Sequence, residues 1–370
     1  MINITKVVID DETIEEVVKV LKSGQLAEAK ITRKFEESFA QWVGCKFSYA
    51  TSSGSTALLV ALQSILEKED EVIVPSFTHI STANAVIYAG GRVKFVDIDP
   101  ETYNISVEDL QNKITKRTKA IIPVHLFGCP ADLKEINEIA EDYGALVVSD
   151  AAQAHGAKIK GVNIAKMSQL YCYSFYPTKN ILCGEGGMVV SDCKNCYEKG
   201  SIIKNHGERE KYNHIELGFN FRLNEIASVI GLSFLKKADE LIAKRIENAK
   251  FLKEKLEKFN SITLQKVPEG YTHVYNQFSL RINKEYLKVD RDRIIQELRK
   301  RGIEARVHYP LPIPLQPIYK RLFSIDEKSI KVSKEVSETI LSLPIHPYLR
   351  KEELELIVSK VEEIIYEFEK

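Results

Sequence analysis

Apolar positions along this chain follow two periods, and their alternation sets the first expectation about its fold. Residues 11–22 place acidic side chains first, lysines last and an apolar stripe between them, which predicts an amphipathic helix ended by Ser23-Gly24. Residues 32–43 repeat that pattern with Phe35, Phe39 and Trp42 on one face, a spacing that reads as core packing. Beyond residue 50, periodic stretches of helix length alternate with short apolar runs at 71–75, 92–97, 119–124 and 145–150. Strands separated by helices in this way predict an α/β fold with a doubly wound, mostly parallel sheet. Residues 222–258 predict one long helix. A strand over 273–281, a helix over 290–301, a strand over 304–310 and a charged amphipathic helix over 350–370 then predict a smaller α+β unit. The expected division is a large domain over 1–250, including the N-terminal helical segment, and a small C-terminal domain over 251–370. No internal repeat or low-complexity segment interrupts it.

Composition narrows the class. A chain of 370 residues is long enough to bury more than one core. Its 52 basic and 52 acidic residues cancel, so charge favours neither nucleic acid nor an anionic membrane as partner. The apolar runs are strand-sized and the N-terminal residues carry no signal-peptide pattern, so a soluble, cytoplasmic protein is expected. Six cysteines do not make a disulfide framework in a chain this long. Cys193-Lys194-Asn195-Cys196 has no second pair at metal-ligand spacing and reads as the start of a helix; no metal site is expected.

Four segments carry chemistry. In Tyr171-Cys172-Tyr173-Ser174-Phe175-Tyr176-Pro177-Thr178-Lys179-Asn180, followed by Gly184-Glu185-Gly186-Gly187, a lysine sits after an aromatic run and before glycines. A lysine met alone at a strand end would snorkel to water. In this setting it is a candidate desolvated amine, and a neutral amine attacks carbonyl carbon in Schiff-base chemistry. Val147-Val148-Ser149-Asp150 is an apolar strand that ends in a carboxylate, which in isolation would read as a helix cap. Ser52-Ser53-Gly54-Ser55-Thr56-Ala57-Leu58 is a small-residue turn opening a helix, where free N–H groups, hydroxyls and the helix dipole face one anion. Gly218-Phe219-Asn220-Phe221-Arg222-Leu223-Asn224 adds an arginine. Asp97, His125 and Asp150 lie at or just past predicted strand ends, so a shared crevice is expected there. His125 and His155 read equally as site-lining residues or as satisfied core histidines.

In this order, from about Gly24 to about Tyr309, the segments resemble those of the DegT/DnrJ/EryC1/StrS family of pyridoxal-phosphate (PLP)-dependent aminotransferases, most of which act on nucleotide-linked keto sugars. The resemblance implies a fold type I aminotransferase with PLP as cofactor and a homodimer as active unit. It makes Lys179 the residue that binds PLP covalently and moves the proton, and Asp150 the partner of the pyridine nitrogen. It further implies that Gln153 meets the ring hydroxyl, that His79 stacks on the ring in place of the commoner Phe, Tyr or Trp, and that Gly54, Ser55, Thr56 and Ser174 hold the phosphate. Asn220 and Arg222 match a pair that reaches the phosphate from the neighbouring subunit. Glu185, His308 and Tyr309 fall on the substrate side. The expected reaction moves an amino group from L-glutamate to a nucleotide-linked keto sugar, at C4 of a 4-keto-6-deoxy sugar, because Glu185 resembles the C4 enzymes where C3 enzymes usually carry aspartate. Two departures border the substrate: Ser23-Gly24 is followed by Gln25-Leu26-Ala27-Glu28-Ala29-Lys30 where the family often carries Gly-Pro, and Leu311-Pro312-Ile313-Pro314-Leu315-Gln316 lacks the usual histidine before Gln. Two alternatives keep the scaffold. PLP-dependent sugar dehydratases of the family replace the lysine, which is present here, and a non-catalytic regulatory member would not need Lys179, Asp150 and Gln153 together. A dinucleotide-dependent oxidoreductase would need a G-x-G-x-x-G after its first strand, and none is present.

Overall fold

Seven apolar segments become the strands of one sheet: Phe47–Thr51 (β1), Glu71–Pro75 (β2), Arg92–Val96 (β3), Thr118–Ile121 (β4), Leu146–Asp150 (β5), Leu170–Ser174 (β6) and Gly187–Ser191 (β7). The computed structural model describes residues 1–370. The strand order is β1-β7-β6-β5-β4-β2-β3. Pairing is parallel from β6 through β3, and β7 runs antiparallel to both β6 and β1. The fold is α/β, with a large, mostly parallel sheet covered by helices.

Side chains alternate across each strand, so β6 feeds two cores. Tyr171 and Tyr173 point to one face, where Phe35 and Phe39 of the helix Lys30–Val43 are fully buried with Phe175. Leu170 and Cys172 point to the other, against Leu58 and Leu62 of the helix Gly54–Gln63. Glu225, 2% exposed, fixes the start of Lys30–Val43 by accepting from the N–H groups of Ala29, Ile31 and Thr32 at 2.8–3.0 Å, because Ala29 has no side chain to cap with.

The predicted helix over 222–258 is two helices, Glu225–Lys236 and Ala238–Leu256, broken at Lys237. Asn224 caps the first by accepting from Ala227 N at 2.9 Å, and Lys237 at the break pairs with Asp10. The second leaves the first core, to which Ala238, Leu241 and Ile242 belong, and enters another through Ala249, Leu252 and Leu256. That second core surrounds an antiparallel sheet of Ile262–Leu264 (β8), Phe278–Ile282 (β9) and Ile340–Leu343 (β10), in the order β8-β9-β10, and includes the helix Lys351–Phe368. Ile2 joins it by bridging to Ile303. We propose the domain boundary inside Ala238–Leu256, with the first residues of the chain counted in the C-terminal unit.

Two strand expectations shorten. The stretch 273–281 becomes strand only at Phe278, and 304–310 stays outside the sheets except for a bridge between Arg306 and Ser342. Cys193 does begin a helix, accepting from Cys196 N at 3.3 Å, and the two cysteines are joined as a disulfide that their spacing alone did not lead us to expect. No helix is long and apolar enough to cross a membrane, and no cluster of three or more metal-ligating side chains occurs.

Candidate active site

The turn after β1 builds one end of the site. Ser53 caps the helix Gly54–Gln63 by accepting from Thr56 N at 3.2 Å, while Thr56 Oγ1 accepts from Ser53 N at 2.9 Å. The N–H groups of Gly54 and Ser55 then open the helix without an intrahelical acceptor. Glycine is required at 54: a Cβ there would lie 2.6 Å from Cβ of Ser174, the last residue of β6. Gly54, Ser55 and Ser174 line one end of a cavity of about 400 Å³. Thr56 does not line it, since its hydroxyl closes the cap.

Asp150 ends β5 and is 5% exposed. Its Oδ1 accepts from Ala152 N at 3.1 Å and its Oδ2 from Thr82 Oγ1 at 2.9 Å; Thr82 Oγ1 is in turn 3.2 Å from Thr78 Oγ1. Burial pushes the Asp150 pKa up, and these bonds together with Lys179 and His79 pull it back towards the charged form. Lys179 reaches the same cavity from the loop after β6, with its N–H donated to Tyr176 O at 2.9 Å. Its amine makes no hydrogen bond or ion pair. Burial lowers its pKa to about 8 against the opposing pull of Asp150, so a desolvated amine stands where the sequence placed one.

Gln153 Oε1 accepts from Phe127 N at 2.6 Å and Gln153 Nε2 donates to Tyr309 OH at 3.3 Å. Tyr309 meets the His79 ring edge-on, with centroids 5.9 Å apart. His79 Nδ1 accepts from Ser81 N at 3.2 Å, and burial, then Lys179, lower its pKa while Asp150 raises it. His308 lies in the cavity wall, its pKa brought down to about 4 by burial and by Lys179, Arg306 and His79. Glu185 also lines the cavity, exposed and free of any ion pair.

Other candidates lie elsewhere. Arg222 donates to Asn205 Oδ1, takes Asn220 Oδ1 on its backbone N–H at 3.3 Å, and lines a separate cavity of about 930 Å³ beside Lys204 and Glu28. Within one chain, Asn220 and Arg222 do not reach Lys179. The expected crevice shared by Asp97, His125 and Asp150 is corrected to Asp150 alone. Asp97 caps the helix Lys331–Thr339, accepting from Val332 N and Ser333 N at 2.8 and 2.9 Å, because β3 is the far edge of the sheet. His125 is a core residue: its Nδ1 accepts from Ala131 N at 3.0 Å and its ring stacks on Tyr171. His155 is packed among Phe39, Tyr173 and Phe175, where burial brings its pKa down to about 3.

Thr78, Thr82 and Arg306 were missed. Nothing local marks the threonines, whose role depends on the helix Ser81–Tyr88 meeting the end of β5. Arg306 did carry a signal: two residues before His308 in an extended segment, it falls on the same side.

A desolvated amine, a buried acid and an open helix start in one cavity suit carbonyl chemistry on an anionic ligand. A model of the DegT/DnrJ/EryC1/StrS aminotransferase family matches residues 7–362. The chain belongs to this family. As such it is an aminotransferase, of fold type I. Among its relatives is the UDP-N-acetyl-3-dehydro-alpha-D-glucosamine 3-aminotransferase of Acidithiobacillus ferrooxidans, 34% identical over 96% of this chain and 94% of that protein. DesV of S. venezuelae, solved in complex with a ketimine intermediate, is 32% identical, covers 96% of this chain and 94% of its own, and superposes with a TM-score of 0.91. A protein described as a sugar aminotransferase, Spr1654 of Streptococcus pneumoniae in its PLP form, is 25% identical over 98% of both chains with a TM-score of 0.91.

Proposed function

We propose that this family member transfers an amino group from L-glutamate to C4 of a nucleotide-linked 4-keto-6-deoxy sugar, with pyridoxal phosphate held beside Lys179. The observation that carries the reading is the unpartnered amine of Lys179 in one cavity with the buried carboxylate of Asp150. The residues fit that cofactor. Gly54 leaves the space a Cβ would fill beside Ser174, so Gly54, Ser55 and Ser174 would hold a phosphate at the helix start. Asp150 would face the ring nitrogen, Gln153 the ring hydroxyl and His79 a ring face. Bound there, pyridoxal phosphate supplies a carbonyl carbon to carry the amino group and an electron-accepting ring.

The chain's own residues do the rest. Asp150, with one donor on each oxygen, keeps its carboxylate aimed into the cavity and favours a proton on the ring nitrogen. Lys179, its amine eased towards neutrality by burial, would take a proton from the donor's α-carbon in one half-reaction and deliver a proton to the sugar carbon that receives the amine in the other. His308 and Tyr309 close one wall over the substrate side, and Glu185 offers a free carboxylate to sugar hydroxyls.

Asn220 and Arg222 act, in this reading, on the cavity of a second copy, which makes the homodimer the active unit. Leu217 and Phe219, 93% and 69% exposed beside them, are apolar surface suited to burial against that copy. Mixing equal amounts of inactive Lys179→Ala and inactive Arg222→Ala should restore about a quarter of the wild-type specific activity, because random pairing makes about half the dimers hybrids and each hybrid has one intact site. No recovery would remove the shared site.

Purified protein with glutamate, offered 3-keto and 4-keto sugars linked to UDP, GDP and dTDP, tests the position by product mass. Parallel initial-rate lines and an amine at C4 are expected. Amination confined to 3-keto sugars, the position that the Acidithiobacillus ferrooxidans relative is named for, would replace the C4 reading.

A further inference from the structure

The proposed reaction needs a group that recognises the carboxylates of the amino donor. The fixed charges lining the cavity are Asp150, Lys179, Glu185 and Arg306. Asp150 and Glu185 repel a carboxylate, and Lys179 is the reacting amine. His308, brought down to about 4, and His79, also lowered, are neutral at pH 7. Within one chain Arg306 is the cation that remains, and the Arg222 of a second copy is already assigned to the phosphate.

Its geometry suits the task. Arg306 Nε donates to Glu304 Oε1 at 2.7 Å and one terminal nitrogen lies 2.6 Å from the same oxygen. Glu304 Oε2 accepts from Ile4 N at 2.9 Å, so the carboxylate that holds the guanidinium is itself held by backbone. A guanidinium has five N–H groups, and the pair with Glu304 leaves the others free. The Arg306 side chain remains 51% exposed. A second cavity, about 510 Å³, is also lined by Arg306 and by Thr178, the residue before Lys179, so Arg306 belongs to the walls of both hollows.

We propose that Arg306, with Glu304 holding its guanidinium, binds the side-chain carboxylate of the amino donor and so selects a dicarboxylic amino acid over a neutral one. A planar fork on a carboxylate gives orientation as well as attraction, which an ammonium in its place would not. The proposal rests on the aminotransferase reading of the cavity. A hexuronate sugar would present the same carboxylate chemistry, and the test separates the two sources.

Initial rates of the cofactor-loaded protein are measured for wild type, Arg306→Lys and Arg306→Gln, varying glutamate and the keto sugar separately. Hydrogen bonds to a charged group contribute about 1.5–3 kcal/mol, so Arg306→Gln should raise KM for glutamate roughly 10- to 150-fold, with KM for a hexose substrate within about twofold. Arg306→Lys should fall between. Calorimetry with glutarate, a dicarboxylate that cannot react, should detect binding to wild type and none to Arg306→Gln. Cofactor content and melting temperature equal to wild type exclude a folding defect. Unchanged glutarate binding would overturn the proposal, as would equal rises in both KM values. A rise confined to hexuronate substrates would transfer Arg306 to the sugar. Glutarate binding through Arg306 in a protein that aminates no nucleotide-linked keto sugar would uphold Arg306 and refute the sugar instead.

Discussion

Thr82 donates its hydroxyl to Asp150 Oδ2 at 2.9 Å, tying the helix Ser81–Tyr88 to the end of β5. That bond favours the charged carboxylate against the burial that disfavours it. Thr82→Val keeps the shape and removes the donor. The Asp150 pKa then rises further, so the acidic limb of the activity profile moves to higher pH, and the cofactor is lost more readily on dialysis. A stability loss of about 1–3 kcal/mol accompanies it, read by urea denaturation. An unmoved acidic limb would show that Thr82 does not tune Asp150.

Lys179 gives the cofactor-free protein a pH signature. Its folded pKa is about 8 against an ordinary 10.5. Between those values the unfolded chain holds more protons than the folded one, so stability rises with pH across that window. Lys179→Met should flatten the rise in denaturation series taken from pH ~7 to ~10. The same variant should lose more than ~10³-fold of turnover.

Gly54→Ala sets a Cβ 2.6 Å from Ser174 Cβ, with the backbone of Ser174 at 3.1 Å behind it. Relief needs the helix start and the end of β6 to part, at a cost of about 1–3 kcal/mol. Weaker cofactor retention should exceed the change in melting temperature, because the displaced atoms are those proposed to hold the phosphate.

Lys204, 6% exposed, lies 2.9 Å from Glu28 and 3.0 Å from Glu36, and donates to Ala50 O at 3.1 Å. Lys204→Met leaves two carboxylates unpaired beside β1 and should cost about 3–5 kcal/mol in chemical denaturation. Burial already raises the Glu36 pKa despite Lys204, so the variant raises it further. A carboxyl whose folded pKa lies above its unfolded value destabilises the fold as pH rises. The deficit should therefore be larger at pH ~8 than at pH ~5, and adding Glu36→Gln should recover part of it.

Strand identity and the lysine of the cavity were legible because each depends on a short window. The runs 71–75 and 145–150 are apolar enough to be buried on both faces, and Lys179 follows a buried aromatic strand that carries it into the cavity. Asp97 and His125 misled because a strand end predicts a crevice and not which strands adjoin it. β3 lies at the sheet's edge, three places from β5. The break at Lys237 was hidden for a related reason: no Gly or Pro marks it, and the turn there lets residues on both sides, Phe234 and Ala238, pack into one core.

By itself, the sequence determined the α/β alternation, a helix opening within 52–58, the amine at 179 and the acid at 150, since period, turn chemistry and local apolarity act within a dozen residues. Only the tertiary structure decided that Thr82 steadies Asp150, that Thr56 serves its own helix, and that Arg306 lines the cavity of Lys179. Those relationships join residues far apart in the chain, and their partners are set by strand order and core packing, which no local window encodes.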